Sequence, residues 1–145
     1  MINIICMGKI KEKYLTDLID DYKKRINKYH KLNIIELSDT KPIKDQTKDI
    51  LKIIKSNDYV ISLAIEGKQL SSVELAEKIN ETFNHYPTID FIIGESSGLS
   101  DEIKNKSNML LSFSKLTYPH GLFRGILLEQ IYRSFKIINN ESYHK

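Results

Sequence analysis

The chain has 145 residues, 41% of them hydrophobic and 28% charged, with a net charge of +3 at pH 7. That is the composition of one folded domain, residues 1–145, able to bury roughly two-thirds of its unfolded surface. No apolar run reaches the ~20 residues of a membrane span, and Cys6, the only cysteine, has no internal partner for a disulfide.

Met1-Ile2-Asn3-Ile4-Ile5 starts like a strand, without the basic flank and cleavage site of a secretion signal, so a reducing, cytoplasmic location is expected. In chain order, the apolar run Ile2–Met7 predicts a buried strand closed by Gly8. Tyr14, Leu15, Leu18, Ile19, Tyr22, Ile26 and Tyr29 then recur at helical spacing. Lys9, Lys11, Lys13, Lys23, Lys24, Arg25, Lys28 and Lys31 make this region basic, interrupted by Glu12, Asp17, Asp20 and Asp21. A solvated helix face is the plain reading, and a phosphate-tracking patch is the alternative.

Leu32–Leu37 predicts a second strand, Ser38–Pro42 a loop, and Ile43–Ile54 a helix. Tyr59–Ile65 is a third strand, ended by Glu66-Gly67-Lys68. Ser71 and Glu74 have capping-box spacing before a helix carrying Leu75, Ala76, Ile79 and Phe83. Pro87 precedes a fourth strand, Ile89–Ile93, and Gly94–Gly98 is a turn. Ser100 caps a short helix, Met109–Phe113 is a fifth strand, and His120–Ile138 a long final helix. Strands alternating with helices predict an α/β fold, a mostly parallel sheet flanked by helices. Leu122, Phe123, Ile126, Leu127, Ile131, Tyr132 and Phe135 give the last helix an apolar face broader than a small sheet needs, which hints at a dimer.

Gly94-Glu95-Ser96-Ser97-Gly98 formally matches the G-x-S-x-G nucleophile elbow, with Glu129 and His144 in triad order, so a serine hydrolase is one reading. A five-residue match is weak, the chain is short for that fold, and no glycine-rich oxyanion segment precedes it. The same turn reads better as one whose glycines, Gly94 and Gly98, let the backbone take positive φ and approach a ligand closely. No dinucleotide or P-loop glycine motif is present, and His30, His85, His120 and His144 lack metal-ligand spacing, so no metal is expected. Ser114–His120 offers hydroxyls, an ammonium and an imidazole between strand and helix, where α/β proteins build ligand sites. Arg124 lies four residues beyond His120, on the same helix face. Glu129 and Arg133 repeat that spacing and read as a structural pair. The chain ends Tyr143-His144-Lys145, which points to a site completed by the tail.

Four segments carry a family resemblance: the start Met1–Tyr14, Gly67-Lys68-x-x-Ser71-Ser72, the Ile93-Gly94 turn, and above all Ser112–Lys145. Through them the chain resembles the large-subunit ribosomal RNA methyltransferases of type H in the SPOUT superfamily. The resemblance implies an enzyme that uses S-adenosylmethionine, releasing S-adenosylhomocysteine, to methylate N3 of a pseudouridine. The target would be a hairpin loop of 23S ribosomal RNA in the assembled 70S ribosome. It also implies a C-terminal deep trefoil knot and a homodimer. By position, cofactor contacts fall to Leu63, Gly94, Gly98, Phe113, Ser114, Lys115, Leu116, Thr117 and Tyr118. Leu63 and Leu116 would sandwich adenine, and the two glycines would leave room for a bent cofactor. Arg124, His120, Tyr143 and His144 are expected near methyl donor and target base, the last two from either subunit.

N3 must lose its proton to attack. His144 is the first candidate to accept it and His120 the second, with Arg124 stabilising the negative oxygen that results. Charge and position assign phosphate contacts to Lys9, Lys11, Arg133 and Lys145. Two residues depart from the family pattern: Glu95 stands where a second glycine is usual, and Ala64 where an acidic residue is common. The competing class is a ribosome-binding module of the same fold that has lost turnover.

Overall fold

The computed structural model describes residues 1–145. Its strands are β1 (Ile2–Met7), β2 (Leu32–Leu37), β3 (Asp58–Gln69), β4 (Thr88–Ile93) and β5 (Met109–Ser112). They alternate with helices α1 (Lys13–Asn27), α2 (Ile43–Ile53), α3 (Ser72–Phe83), α4 (Asp101–Lys106) and α5 (His120–Ile138). The strands form one parallel sheet in the order β2-β1-β4-β3-β5. Parallel neighbours need crossovers, and helical crossovers cover both sheet faces. That is why β1 and β4 read as near-continuous apolar runs: every residue in both is buried.

Alternation along the strands builds two cores. Ile2, Ile4 and Cys6 of β1 and Ile89, Phe91 and Ile93 of β4 pack under α1, α3 and α5. Ile5, Met7 and Ile92 point the other way, toward Ile50 of α2 and Ile103 of α4. The Ser71–Glu74 capping box forms as the spacing predicts: Ser71 Oγ accepts from Glu74 N at 3.0 Å, and Glu74 Oε1 accepts from Ser71 N at 2.8 Å. Ser100 Oγ caps α4 through Ile103 N.

Two expectations need correction. Much of α5's apolar face is used inside the chain, because α5 is wedged between α1 and α3 and buries Leu127, Leu128, Ile131, Tyr132 and Phe135 there, while Leu122 stays 40% exposed and Phe123 and Ile126 half-buried. Most of the face thus serves the chain's own core, which narrows what is left over for a partner. The wedge is tight: a Cβ on Gly121 would lie 2.8 Å from Leu15, and one on Gly125 2.7 Å from Leu18.

Second, β3 does not stop at Ile65. Leu63 and Lys68 both take Leu111 of β5 as pairing partner, so the intervening residues bulge out and the strand resumes to Gln69. Gly67 closes the bulge, since a Cβ there would sit 2.7 Å from the Leu110 carbonyl carbon. β5 is correspondingly one residue shorter than expected, ending at Ser112. No helix is long and apolar enough to cross a membrane.

Candidate active site

The bulge of β3 and the C-terminal ends of β4 and β5 surround a cleft of about 500 Å³, within the ~300–1,000 Å³ typical of ligand pockets. Three walls define it. The β3 bulge supplies Leu63, Ala64, Ile65 and Glu66, the turn after β4 supplies Gly94–Leu99, and the segment after β5 supplies Phe113, Ser114, Leu116, Thr117 and Tyr118. His120 and Phe123 from the start of α5 complete it, with Lys104 of α4. Leu116 is 70% exposed, an apolar side chain without a partner in the chain.

The two glycines of the turn do different things. A Cβ on Gly94 would lie 2.9 Å from the carbonyl carbon of Gly98 and 3.0 Å from Leu99, so Gly94 lets the turn close on itself. Gly98 has φ +84°, the positive φ that a glycine at this turn permits, and open space beside it. Glu95 and Gly98 pair across the turn, with Gly98 N donating to Glu95 O at 2.8 Å.

Two carboxylates face this cleft. Ser97 Oγ donates to Glu95 Oε1 at 2.7 Å and Gln46 Nε2 to Oε2 at 3.3 Å; these bonds, with the charge of His120 adding a little, hold its carboxyl below the ordinary value. Lys104 Nζ lies 2.7 Å from Glu66 Oε1 and keeps that carboxyl low too. Glu66 was read from sequence as part of a strand end, and only the bulge brings it into the site. In the sequence Gly67 reads as the stop of a strand, whereas in the fold it lies within one, at the bulge.

Other expected site residues lie elsewhere. Lys115 is exposed and does not line the cleft. Arg124 does not follow His120 into it: the guanidinium is buried, with Nη1 donating to Glu36 Oε2 at 2.7 Å and Nη2 to Gly8 O at 3.2 Å. Lys9 and Lys11 are exposed between β1 and α1, on the same edge of the sheet as the cleft.

The tail is farther off. Tyr143 OH donates to Glu129 Oε1 at 3.1 Å and its ring meets Tyr132 edge-on at 5.0 Å. Burial, with help from Tyr22 and Glu129, pushes the phenol up to about 12. Arg133 Nη1 lies 3.1 Å from His144 Nδ1. Arg133 is thus engaged within the chain, while Lys145 is exposed. These contacts sit thirteen residues along α5 from His120, about 20 Å at 1.5 Å per residue. Within one chain, Tyr143, His144 and the cleft are therefore at opposite ends of a helix. The triad reading fails on the same geometry, since Glu129 and His144 are both at the end remote from Ser96.

An α/β domain with a parallel sheet, and a ligand cleft where its strands end, belongs to the class of α/β enzymes that bind ligands at strand termini. Comparison narrows that class. The family model described as "Predicted SPOUT methyltransferase" matches residues 1–144. Ribosomal RNA large subunit methyltransferase H of Clostridioides difficile is 51% identical, and that of Clostridium novyi 50%, each alignment covering 99% of both chains. Among solved structures, a probable methylase family protein from Haemophilus influenzae has TM-score 0.60 at 14% identity, covering 99% of this chain and 70% of its own. The A. aeolicus TrmH/SpoU tRNA modifying enzyme has TM-score 0.50 at 10% identity, covering 95% and 77%. These two share the fold. The chain belongs to the SPOUT methyltransferases, and within them to the ribosomal RNA large subunit methyltransferase H family.

Proposed function

We propose that this methyltransferase transfers the methyl group of S-adenosylmethionine to N3 of a pseudouridine in a hairpin loop of 23S ribosomal RNA on the assembled 70S ribosome. It acts in the cytoplasm as a homodimer of single SPOUT domains, each with a deep trefoil knot in its C-terminal part. The observation that carries this reading is the cleft between the β3 bulge and the ends of β4 and β5, walled by the cofactor loops that the family resemblance assigns.

The cleft suits that cofactor chemically. Leu63, Phe113 and Leu116 offer apolar surface to adenine, and the backbone of Gly94–Gly98 and Ser114–Tyr118 offers donors and acceptors to its edge and to the ribose. Glu95 and Glu66 give a cationic ligand two negative charges against the single ammonium of Lys104. Glu95 thus takes a part no glycine fills, and Glu66 stands close to where Ala64 leaves an acidic side chain missing. Bound there, S-adenosylmethionine supplies a methyl that is already activated. The chain's own task is to hold N3, methyl and sulfur in line and to exclude water.

His120 lines the cleft, and in this reading it stands beside the reacting groups. Tyr143, His144 and Lys145 complete the site from a second copy, because about 20 Å of helix separates them from the cleft of their own chain. Lys9 and Lys11 meet the RNA backbone. Arg124 ties α5 to β2 through Glu36 and touches neither ligand.

The test is tritium transfer from labelled S-adenosylmethionine to purified 70S ribosomes from cells lacking this enzyme. Label on the 23S pseudouridine with wild type, and none with Gly94→Trp, supports the reading. Wild type that binds cofactor and leaves ribosomes unlabelled would mark a ribosome-binding module instead.

A further inference from the structure

The contact between Arg133 Nη1 and His144 Nδ1, at 3.1 Å, fixes more than position. A guanidinium is always charged and has only N–H donors, with no lone pair to offer. Nδ1 must therefore be the acceptor, and the one proton of the neutral ring sits on Nε2. From this we infer that Arg133 is a positioning residue that locks His144 as the Nε2–H tautomer, so that the tail presents a hydrogen-bond donor, and not a base, to the target ring. The inference rests on the proposed function, in which the tail completes the cleft of a second copy.

Arg133 is itself held on every side. Glu129 Oε1 accepts from its Nη2 at 2.8 Å and its Nε at 3.2 Å. The same oxygen accepts from Tyr143 OH at 3.1 Å, and the Tyr143 ring lies 4.8 Å under the guanidinium carbon. Glu129 and Arg133 are 20% and 24% exposed, so the pair is shielded. A proton on Nδ1 would turn two N–H donors toward each other, one of them the cationic guanidinium, with no acceptor between them. The pair that sequence spacing presents as helix surface is thus the clamp that selects a tautomer.

The chemistry suits a donor. N3 of the target lies between two ring carbonyls, and loss of its proton spreads negative charge onto those oxygens. An Nε2–H directed at one of them stabilises that charge as it develops. The N3 proton leaves to solvent before the site closes and water is excluded, the nitrogen lone pair then forms the N–CH3 bond, and the sulfur–methyl bond breaks with its electrons returning to sulfur. Charge and atoms balance without a proton passing through His144.

The experiment joins long-range nitrogen–proton NMR of the imidazole in the full-length protein with turnover on ribosomes lacking the methyl group. Wild type is expected to show a pyridine-like Nδ1 and a pyrrole-like Nε2, and Arg133→Met a mixture of tautomers. His144→Ala should lose on the order of a hundredfold in kcat, as removal of a single oxyanion donor does. His144→Gln keeps an N–H at the same reach but takes no proton, and should lose at least roughly tenfold less. Arg133→Met should lower kcat with KM for ribosomes little changed, whereas a phosphate contact would raise KM instead. A wild-type ring protonated on Nδ1, or His144→Gln as inactive as His144→Ala, overturns the inference. Full activity in all three variants would show instead that the tail takes no part in transfer, which removes that part of the proposed function and the inference with it.

Discussion

Arg124 Nη1 donates to Glu36 Oε2 at 2.7 Å, tying α5 to β2 across 88 residues of sequence. The arginine side chain is 4% exposed and the glutamate 34%. Removing the carboxylate strands a buried charge, which costs 3–5 kcal/mol in a fully buried pair and roughly half of that here, where Glu36 is partly wet. Glu36→Gln should therefore lower unfolding stability by about 1–3 kcal/mol in urea titration. Cofactor affinity measured well below the melting temperature should hold within about twofold, a few tenths of a kcal/mol, because neither residue lines the cleft.

Gly67 sits where β3 returns to pair with Leu111 after its bulge. A methyl group there collides with backbone, which has no rotamer to yield, so Gly67→Ala must straighten or shift the bulge. The expected cost is about 1–3 kcal/mol of stability. Calorimetric titration should also show at least roughly tenfold weaker S-adenosylmethionine binding, 1.4 kcal/mol or more. Normal binding by this variant would separate the bulge from the site.

Leu116 is 70% exposed and contributes little to the folded chain. Leu116→Ala should leave the melting temperature within a degree or so, yet weaken cofactor binding about tenfold, the equivalent of burying part of one aliphatic side chain. The same titration checks it.

Asp90 is fully buried on β4, where Asn3 Nδ2 donates to its Oδ1 at 2.8 Å. Burial, with Asp58 nearby, raises its carboxyl to about 7. The folded chain therefore holds a proton between about pH 4 and pH 7 that the unfolded chain has released. Over that window this group's contribution to stability falls as pH rises, and above about 7 it levels off. Asp90→Asn removes the penalty, so urea titrations should find the variant gaining on wild type between pH 5 and pH 7 and holding that gain at pH 8. A constant difference across pH would show that Asp90 ionises normally.

Most of the fold could be read directly. Ile2–Met7 and Ile89–Ile93 announce central parallel strands because both sheet faces are covered, and Ser71 with Glu74 marks a helix start by local hydrogen bonding alone. What stayed hidden was whatever depends on a distant partner. Helical spacing puts His120 and Arg124 on one face but says nothing of Glu36, which draws Arg124 inward. The β3 bulge is set by how Leu63 and Lys68 compete for Leu111. Glu129 and Arg133 satisfy i,i+4 spacing as a surface pair would, and only the folded tail shows them gripping Tyr143 and His144.

The central claim is that the cleft of one copy is completed by the tail of another. Two inactive variants test it: Gly94→Trp, with a blocked cleft and intact tail, and the double variant Tyr143→Ala, His144→Ala, with an open cleft and broken tail. Their mixed dimer, isolated by two different tags, is assayed for tritium transfer to ribosomes lacking the methyl group. The account expects roughly half the wild-type rate, one working site of two in a symmetric pair. A mixed dimer that forms, binds cofactor and transfers nothing would contradict it.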